Sequence, residues 1–281
     1  MLNLPKNTAY SNSIQVILNF ESNLMKKNPL IVITNDDGIT APGIQTLIEV
    51  VKKITDRIVV VAPDKPQSGM GHAITINAMI RIKKFDMDGV TAYSCSGTPV
   101  DCVKVATAKI AEEKPDLVVS GINHGSNSSI NVIYSGTMSA AVEGSIEGIP
   151  SIGFSLNDMR IDANFEPTKK YVEKIIRYTL DHHLEGNCCL NVNFPAVEAD
   201  LIQGIKVCRQ ANAMWEENFD ERHDPSGNAY YWLTGKFVNH EEAATDTDEW
   251  ALKNNYISVV PVQYDVTAYP ILEQIKQLQN D

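Results

Sequence analysis

The stretch LIVITNDDGITAPGI runs from Leu30 to Ile44. Its first part, Leu30 to Ile33, is a short, β-branched apolar run that suits a buried strand. Beyond it, Ile44, Leu47, Ile48, Val51 and Ile54 fall at helical spacing. Between the two lies Asn35-Asp36-Asp37-Gly38, a pair of carboxylates at the point where a strand gives way to a helix. In α/β sheets that junction is where ligand-binding groups are presented. Adjacent like charges raise the cost of ionising each other, so the turn is either well solvated or holds something positive.

The alternation continues outward from this stretch. Strand-like runs stand at 57–62 (RIVVVA), 116–120 (DLVVS), 150–155 (PSIGFS) and 189–193 (CLNVN), with helical patterns at about 42–54, 98–111, 137–147 and 167–183. Continuous apolar strands between amphipathic helices predict a mostly parallel sheet covered on both faces, an α/β fold. Two short strands near 78–84 and 90–95, joined through Met87-Asp88-Gly89, predict a hairpin. From 204 to 240 the chain is polar and aromatic and reads as extended strands and long loops. A strand at 256–260 (YISVV) and a tail helix at 268–278 follow. Residues 1–28 are polar and Asn-rich and read as an N-terminal extension outside the core. Residues 29–281 read as one domain, with a core to about 195 and an extended C-terminal segment over 196–281.

The bulk numbers set limits. The 281 residues are 43% hydrophobic and 21% charged, enough for a packed core. A net charge of −11 argues against a nucleic-acid polymer as partner, because such surfaces carry a basic stripe. A small anionic substrate stays open, since a bound cation reverses the local field. Cys95, Cys102, Cys188, Cys189 and Cys208 form no C-x-x-C pair and are odd in number, which suggests neither a zinc site nor a disulfide framework. Reduced thiols in a cytoplasmic protein are the plain expectation. No apolar run reaches the roughly 18 residues that span a bilayer, so no membrane partner is expected.

Polar groups that a buried turn does not need gather in four loops. Besides Asn35–Gly38, these are Pro63-Asp64-Lys65-Pro66-Gln67-Ser68-Gly69, Gly121-Ile122-Asn123-His124-Gly125-Ser126-Asn127, and Tyr134-Ser135-Gly136-Thr137 leading into a helix. Loops after parallel strands share one edge of a sheet, which lets them converge. Asp36, Asp37, Ser68 and Asn123 are hard oxygen donors that suit magnesium or manganese rather than zinc. Thr137 is placed to cap the following helix, Gly136 admits close backbone approach, and the first-turn N–H groups favour a phosphate. A metal on one flank and a helix N-terminus on the other describe a phosphoryl site.

Each signal alone has a plainer reading. Asp-Asp-Gly is usually a turn or cap, and Gly-x-Asn-x-Gly a tight turn. Thr98-Pro99-Val100-Asp101 reads as a helix start, with Thr98 as N-cap and Pro99 at the first helical position. His124 lies in one of these loops and His72 just beyond another, but both suit surface or packing roles. No G-x-S-x-G elbow supports a serine hydrolase, and no G-x-G-x-x-G follows the first strand. A signal receiver domain also puts an acidic pair after its first strand. It needs an Asp after the third parallel strand, where this chain has Ser120-Gly121-Ile122-Asn123.

Taken in order, the blocks resemble the SurE family of stationary-phase survival proteins, divalent-metal-dependent nucleotidases. The resemblance rests on TNDDGITAPGI, VVAPDKPQSGMGHAIT, SGTPVDCV, PDLVVSGINHGSN, YSGTMSAAVEGSIEGIPSIGFS and LNVNFP. It continues through ERHDPSGNAYYWLTG and TDTDEWALKNNYISVVPV, covering roughly residues 29 to 265. It implies metal ligands at Asp36, Asp37, Ser68 and Asn123, and phosphate contacts at Ser135, Gly136 and Thr137. It also implies a Rossmann-like core, one Mg2+ or Mn2+ per subunit, and a homodimer or homotetramer whose C-terminal segments cross between subunits. His223 and Ser226 depart from the family's usual Thr and Arg, and Val260-Pro261-Val262 from Thr-Pro-Leu; all lie away from the metal motif.

The expected reaction is hydrolysis of nucleoside monophosphates to nucleoside and phosphate, with short polyphosphate a further candidate substrate. Asp36 or Asp37 accepts the proton of an attacking water, while Asn123, Ser135 and Thr137 stabilise the phosphoryl oxygens. Direct attack by an aspartate is the alternative, less favoured because the D-x-D spacing of phosphoaspartyl phosphatases is absent.

Overall fold

The computed structural model describes residues 28–279 apart from 88, 183, 185 and 186. The proposed N-terminal extension therefore lies, but for its last residue, outside the described residues. At the centre is β1 (Ile31–Thr34), buried along its whole length. It pairs in parallel with β2 (Ile58–Pro63) on one side and with β5 (Leu117–His124) on the other. Beyond β2 come β4 (Thr91–Cys95), parallel, and β3 (Ile82–Phe85), antiparallel. Beyond β5 come β6 (Ser151–Leu156) and β7 (Cys188–Phe194), both parallel. The sheet then reverses: β11 (Tyr256–Gln263) is antiparallel to β7, and β8 (Gly204–Val207) pairs in parallel with β11 at the edge. The nine strands thus run in the order β3-β4-β2-β1-β5-β6-β7-β11-β8.

The strand period of two splits the core into halves. Ile31 and Ile33 face α1 (Pro42–Val51) and α5 (Lys169–Asp181), meeting Ile44, Leu47, Ile48, Val172, Ile175 and Ile176. Val32, Val59, Val61 and Val118 point the other way. They pack on Cys102 and Val103 of α2 (Pro99–Val105) and Ala140 of α4 (Gly136–Ile146). Helices cover both faces, as a largely parallel sheet requires. α2 begins at the predicted Thr98, whose side chain and that of Asp101 form a reciprocal capping box. The helix predicted over 98–111 is α-helical only to Val105 and widens into a π turn through Ile110.

The predicted hairpin is the antiparallel β3–β4 pair. The 204–240 segment holds β8 and a separate two-stranded ribbon, β9 (Ala213–His223) against β10 (Ala229–Asn239), exposed for most of its length. Two short helices complete the C-terminal part, α6 (Asp248–Lys253) and α7 (Tyr269–Ile275). The parallel strands take the order β4-β2-β1-β5-β6-β7, so the chain builds to one side of β1 and then returns to its other side. Open α/β sheets bind ligands in the crevice at such a change of direction, which here lies beyond the carboxyl ends of β1 and β5.

Candidate active site

Asp36 and Asp37 follow β1 at this crevice, and the remaining loops meet them there. The Gln67 N–H donates to the Asp36 carbonyl at 2.8 Å, so the segment after β2 lies against the acidic turn and Ser68 follows on directly. From the end of β5, the His124 N–H donates to Asp37 Oδ2 at 3.2 Å, with His124 Nδ1 also 3.2 Å from that oxygen. Asn123 spends its side-chain N–H on the Gly125 carbonyl at 2.8 Å, which leaves its oxygen as the ligand-type atom. Thr137, at the start of α4, donates its hydroxyl to Asp36 Oδ1. The segments after β1 and β2, the end of β5 and the start of α4 therefore come to one place.

Two features differ from the sequence-based expectation. The Ser135-Gly136-Thr137 step follows a short helix, α3 (Asn131–Tyr134), rather than a strand. Thr137 is not the helix cap; Ser135 is, its Oγ accepting from the Met138 N–H at 3.0 Å. Ser and Thr are both good N-caps, so the pattern alone does not choose between them. The consequence is chemical. Thr137 is fully buried, and its hydroxyl and N–H are both directed at the Asp36 carboxylate. The Gly136 N–H is the first-turn donor that neither Ser135 nor Asp36 engages.

The packing here is tight. A Cβ on Gly136 would stand 2.7 Å from Asp36 Cβ, so only glycine lets α4 close on the carboxylate. Gly43 plays a similar part behind the site: a Cβ there would meet the Ile122 carbonyl oxygen at 1.9 Å, in the strand that carries Asn123.

The two carboxylates differ in setting. Asp36 is 4% exposed, and burial, reinforced by the charge of Asp37, pushes its pKa up to about 6. The Thr137 hydrogen bonds work in the opposite direction. Asp37 is half-buried. His124, which packs edge-on against Phe165 at 4.9 Å, is the neighbour that sequence reasoning set aside. Nothing local marks it, because its contact is with a residue 87 positions away. Asn35 is buried as well, with its amide donating to the Gly38 carbonyl and its Oδ1 lacking a partner.

Among the described residues no group of three or more His, Cys, Asp or Glu is arranged to hold a metal. The residues expected as ligands offer two carboxylates, from Asp36 and Asp37, with a hydroxyl from Ser68 and a carboxamide oxygen from Asn123. Ser68 is exposed, and Ser135 is 6% exposed.

The sequence model of the family described as Survival protein SurE matches residues 31–217. The chain belongs to the SurE family. The protein named 5'-nucleotidase SurE from Flavobacterium johnsoniae is 62% identical over 251 residues, covering 89% of this chain and 96% of that protein. Its namesake from Flavobacterium psychrophilum is 61% identical, covering 88% of this chain and 96% of that protein. The crystal structure of the SurE protein from Aquifex aeolicus superimposes with a TM-score of 0.78 at 40% identity. It spans 89% of this chain and 100% of that one. The SurE family model ends at residue 217, inside β9, so it takes in all four segments that meet at the crevice.

Proposed function

We propose that this SurE chain is a phosphomonoesterase that hydrolyses nucleoside monophosphates to nucleoside and phosphate, with a divalent cation held at the acidic turn. One observation carries the reading: a buried carboxylate, Asp36, sits beside a second carboxylate with its pKa raised to about 6. A positive ion relieves that arrangement. The donors are all oxygen, which fits Mg2+ or Mn2+. The unpartnered Asn35 Oδ1 adds a further buried acceptor beside the turn. Asp36, Asp37, Ser68 and Asn123 are the proposed ligands. When bound, the ion supplies Lewis-acid polarisation of a phosphoryl oxygen and eases deprotonation of water.

The rest of the chemistry belongs to the chain. Asp36 is buried and doubly bonded by Thr137, so it anchors. Asp37 is half-buried and within reach of solvent, so it is the base that takes the proton of the attacking water. The Gly136 N–H and the Ser135 hydroxyl, at the positive end of α4, stabilise charge on the phosphoryl oxygens. The relatives' name, 5'-nucleotidase SurE, supports the same substrate class.

The protein is further proposed to act in the cytoplasm as a homodimer or homotetramer. Among the described residues no helix is long and apolar enough to cross a membrane, and Cys95, Cys102, Cys189 and Cys208 form no disulfide. Register puts Trp215, Phe219, Tyr231, Leu233 and Phe237 on one face of the β9–β10 ribbon, with Phe219 directly opposite Leu233. Phe219 and Leu233 are 63% and 60% exposed, an apolar stripe suited to a second copy.

The test is phosphate release from nucleoside monophosphates with and without EDTA, and from Asp37→Asn. Turnover is expected to stop in both cases and to return on adding Mg2+ or Mn2+ to the chelated parent. Turnover that survives chelation and the substitution would overturn the reading.

A further inference from the structure

The segment that carries Ser68 has little core to hold it. Met70 and Ile74 are 45% and 48% exposed, and residues 68–70 all face solvent. Polar tethers fix it instead. On one side the Gln67 N–H bonds to the Asp36 carbonyl; on the other the Gly71 N–H bonds to the Tyr134 carbonyl at 3.1 Å. The side-chain tether nearest Ser68 is His72, whose Nε2 lies 2.8 Å from Glu143 Oε2.

Glu143 is an unusual residue for its position. It lies about two turns into α4, a helix of small residues, and is 2% exposed. A buried carboxylate persists only when charged or hydrogen-bonding partners compensate its desolvation. Here Lys104 from α2 takes Oε1 and His72 takes Oε2. Burial raises the Glu143 pKa, but these two partners outweigh it and hold the carboxyl below its usual range. Lys104 thus fixes the carboxylate on one oxygen and leaves the other aimed at the loop.

We propose that Glu143 and His72 are positioning residues that hold Ser68 against the acidic turn. α4 contributes at both places: its N-terminus holds Asp36 through Thr137, and its middle holds the Ser68 segment through Glu143. One rigid element therefore sets the distance between two of the ligands. The proposal rests on the reading of Asp36, Asp37, Ser68 and Asn123 as a cation site.

The test is calorimetric titration of metal-stripped protein with Mn2+, so that binding is read apart from turnover. His72→Ala is the principal variant, because the His72 side chain is 36% exposed and its removal leaves Glu143 with Lys104. Partners that orient metal ligands are worth about 10–100-fold in affinity. His72→Ala is expected to weaken Mn2+ binding about tenfold, and His72→Gln, which keeps a donor, to recover most of it. In a Ser68→Ala background, adding His72→Ala should cost less than a further twofold, because its effect runs through Ser68. At saturating Mn2+ the kcat of His72→Ala should return towards that of the parent.

Unchanged Mn2+ affinity in His72→Ala would overturn the positioning role, as would an equal loss with and without Ser68. Asp37→Asn separates the two levels. If it binds Mn2+ as the parent does, the cation site itself is wrong and the positioning role falls with it. If it loses Mn2+ while His72→Ala does not, only the positioning role fails. Glu143→Gln gives a second reading of the clasp should His72→Ala fail to fold, with a loss similar to that of His72→Ala expected and parent affinity the overturning result.

Discussion

The Thr137 hydroxyl donates to the Asp36 carboxylate across 101 residues of chain, joining the end of β1 to the first turn of α4. The pair shows how the fold manages a costly charge. The strand end leaves a carboxylate out of water beside another, and a helix N-terminus with a hydroxyl and an N–H supplies part of the compensation. The remainder is what the proposed cation would supply.

A stability prediction follows for the metal-free protein. The folded-state pKa of Asp36, about 6, lies above its unfolded value of 3.8. Its contribution to stability is therefore fully present below pH 4 and is lost as pH rises through about 6. Asp36→Asn, which carries no charge, should be more stable than the parent at pH 7 by up to roughly 3 kcal/mol without metal. It should also be inactive. Urea denaturation in EDTA reads the first and phosphate release the second; a variant less stable than the parent would contradict the assignment of Asp36 as a strained charge.

Cation affinity should report the same group. Asp36 must lose its proton to act as a ligand, so binding releases protons near its pKa. Mn2+ affinity is expected to fall about tenfold for each pH unit below 6 and to level off above it. Calorimetry in buffers of different ionisation enthalpy counts the protons released. A flat affinity between pH 5 and 7 would exclude Asp36 from the ligand set.

Gly136→Ala separates the site from the fold. The added methyl meets Asp36 rather than the protein's core, and alanine favours a helix more than glycine does. The melting temperature is expected to stay within a few degrees of the parent's. Turnover should fall about a hundredfold, because a displacement of about 1 Å at a reacting centre costs that much.

The ribbon stripe makes a prediction about mass. Phe219→Ser combined with Leu233→Ser removes the directly opposed apolar pair at the centre of the β9–β10 face. Light scattering after size exclusion should show a smaller assembly than the parent gives at equal concentration. Equal masses would show that this face does not carry the association.

Much of this was legible in the sequence, for definable reasons. β1, β2, β5, β6 and β7 are continuous apolar runs, and α1 and α5 carry apolar stripes at helical spacing, so periodicity placed them within a few residues. The carboxylate pair was legible because its neighbours in sequence gave it no counter-charge. The reversal of β11 against β7 was not, because an apolar strand looks the same in either direction. His124 and Glu143 were passed over for a related reason: each is defined by a partner about 40 to 90 residues distant, and a local pattern records no such pairing. Glu143 did leave a trace, a single acid inside the small-residue helix GTMSAAVEGSI.

The order in which the chain supplies these parts has its own consequence. The seven proposed site residues come from β1, β2, β5 and α4, and the last of them, Thr137, stands near the midpoint of the 281 residues. A ribosome has therefore delivered all seven proposed site residues before β6, β7 and β11 exist to complete the sheet. During synthesis the acidic turn precedes the strands that extend the sheet beyond β5. The second half of the chain, which carries none of the seven, arrives after them.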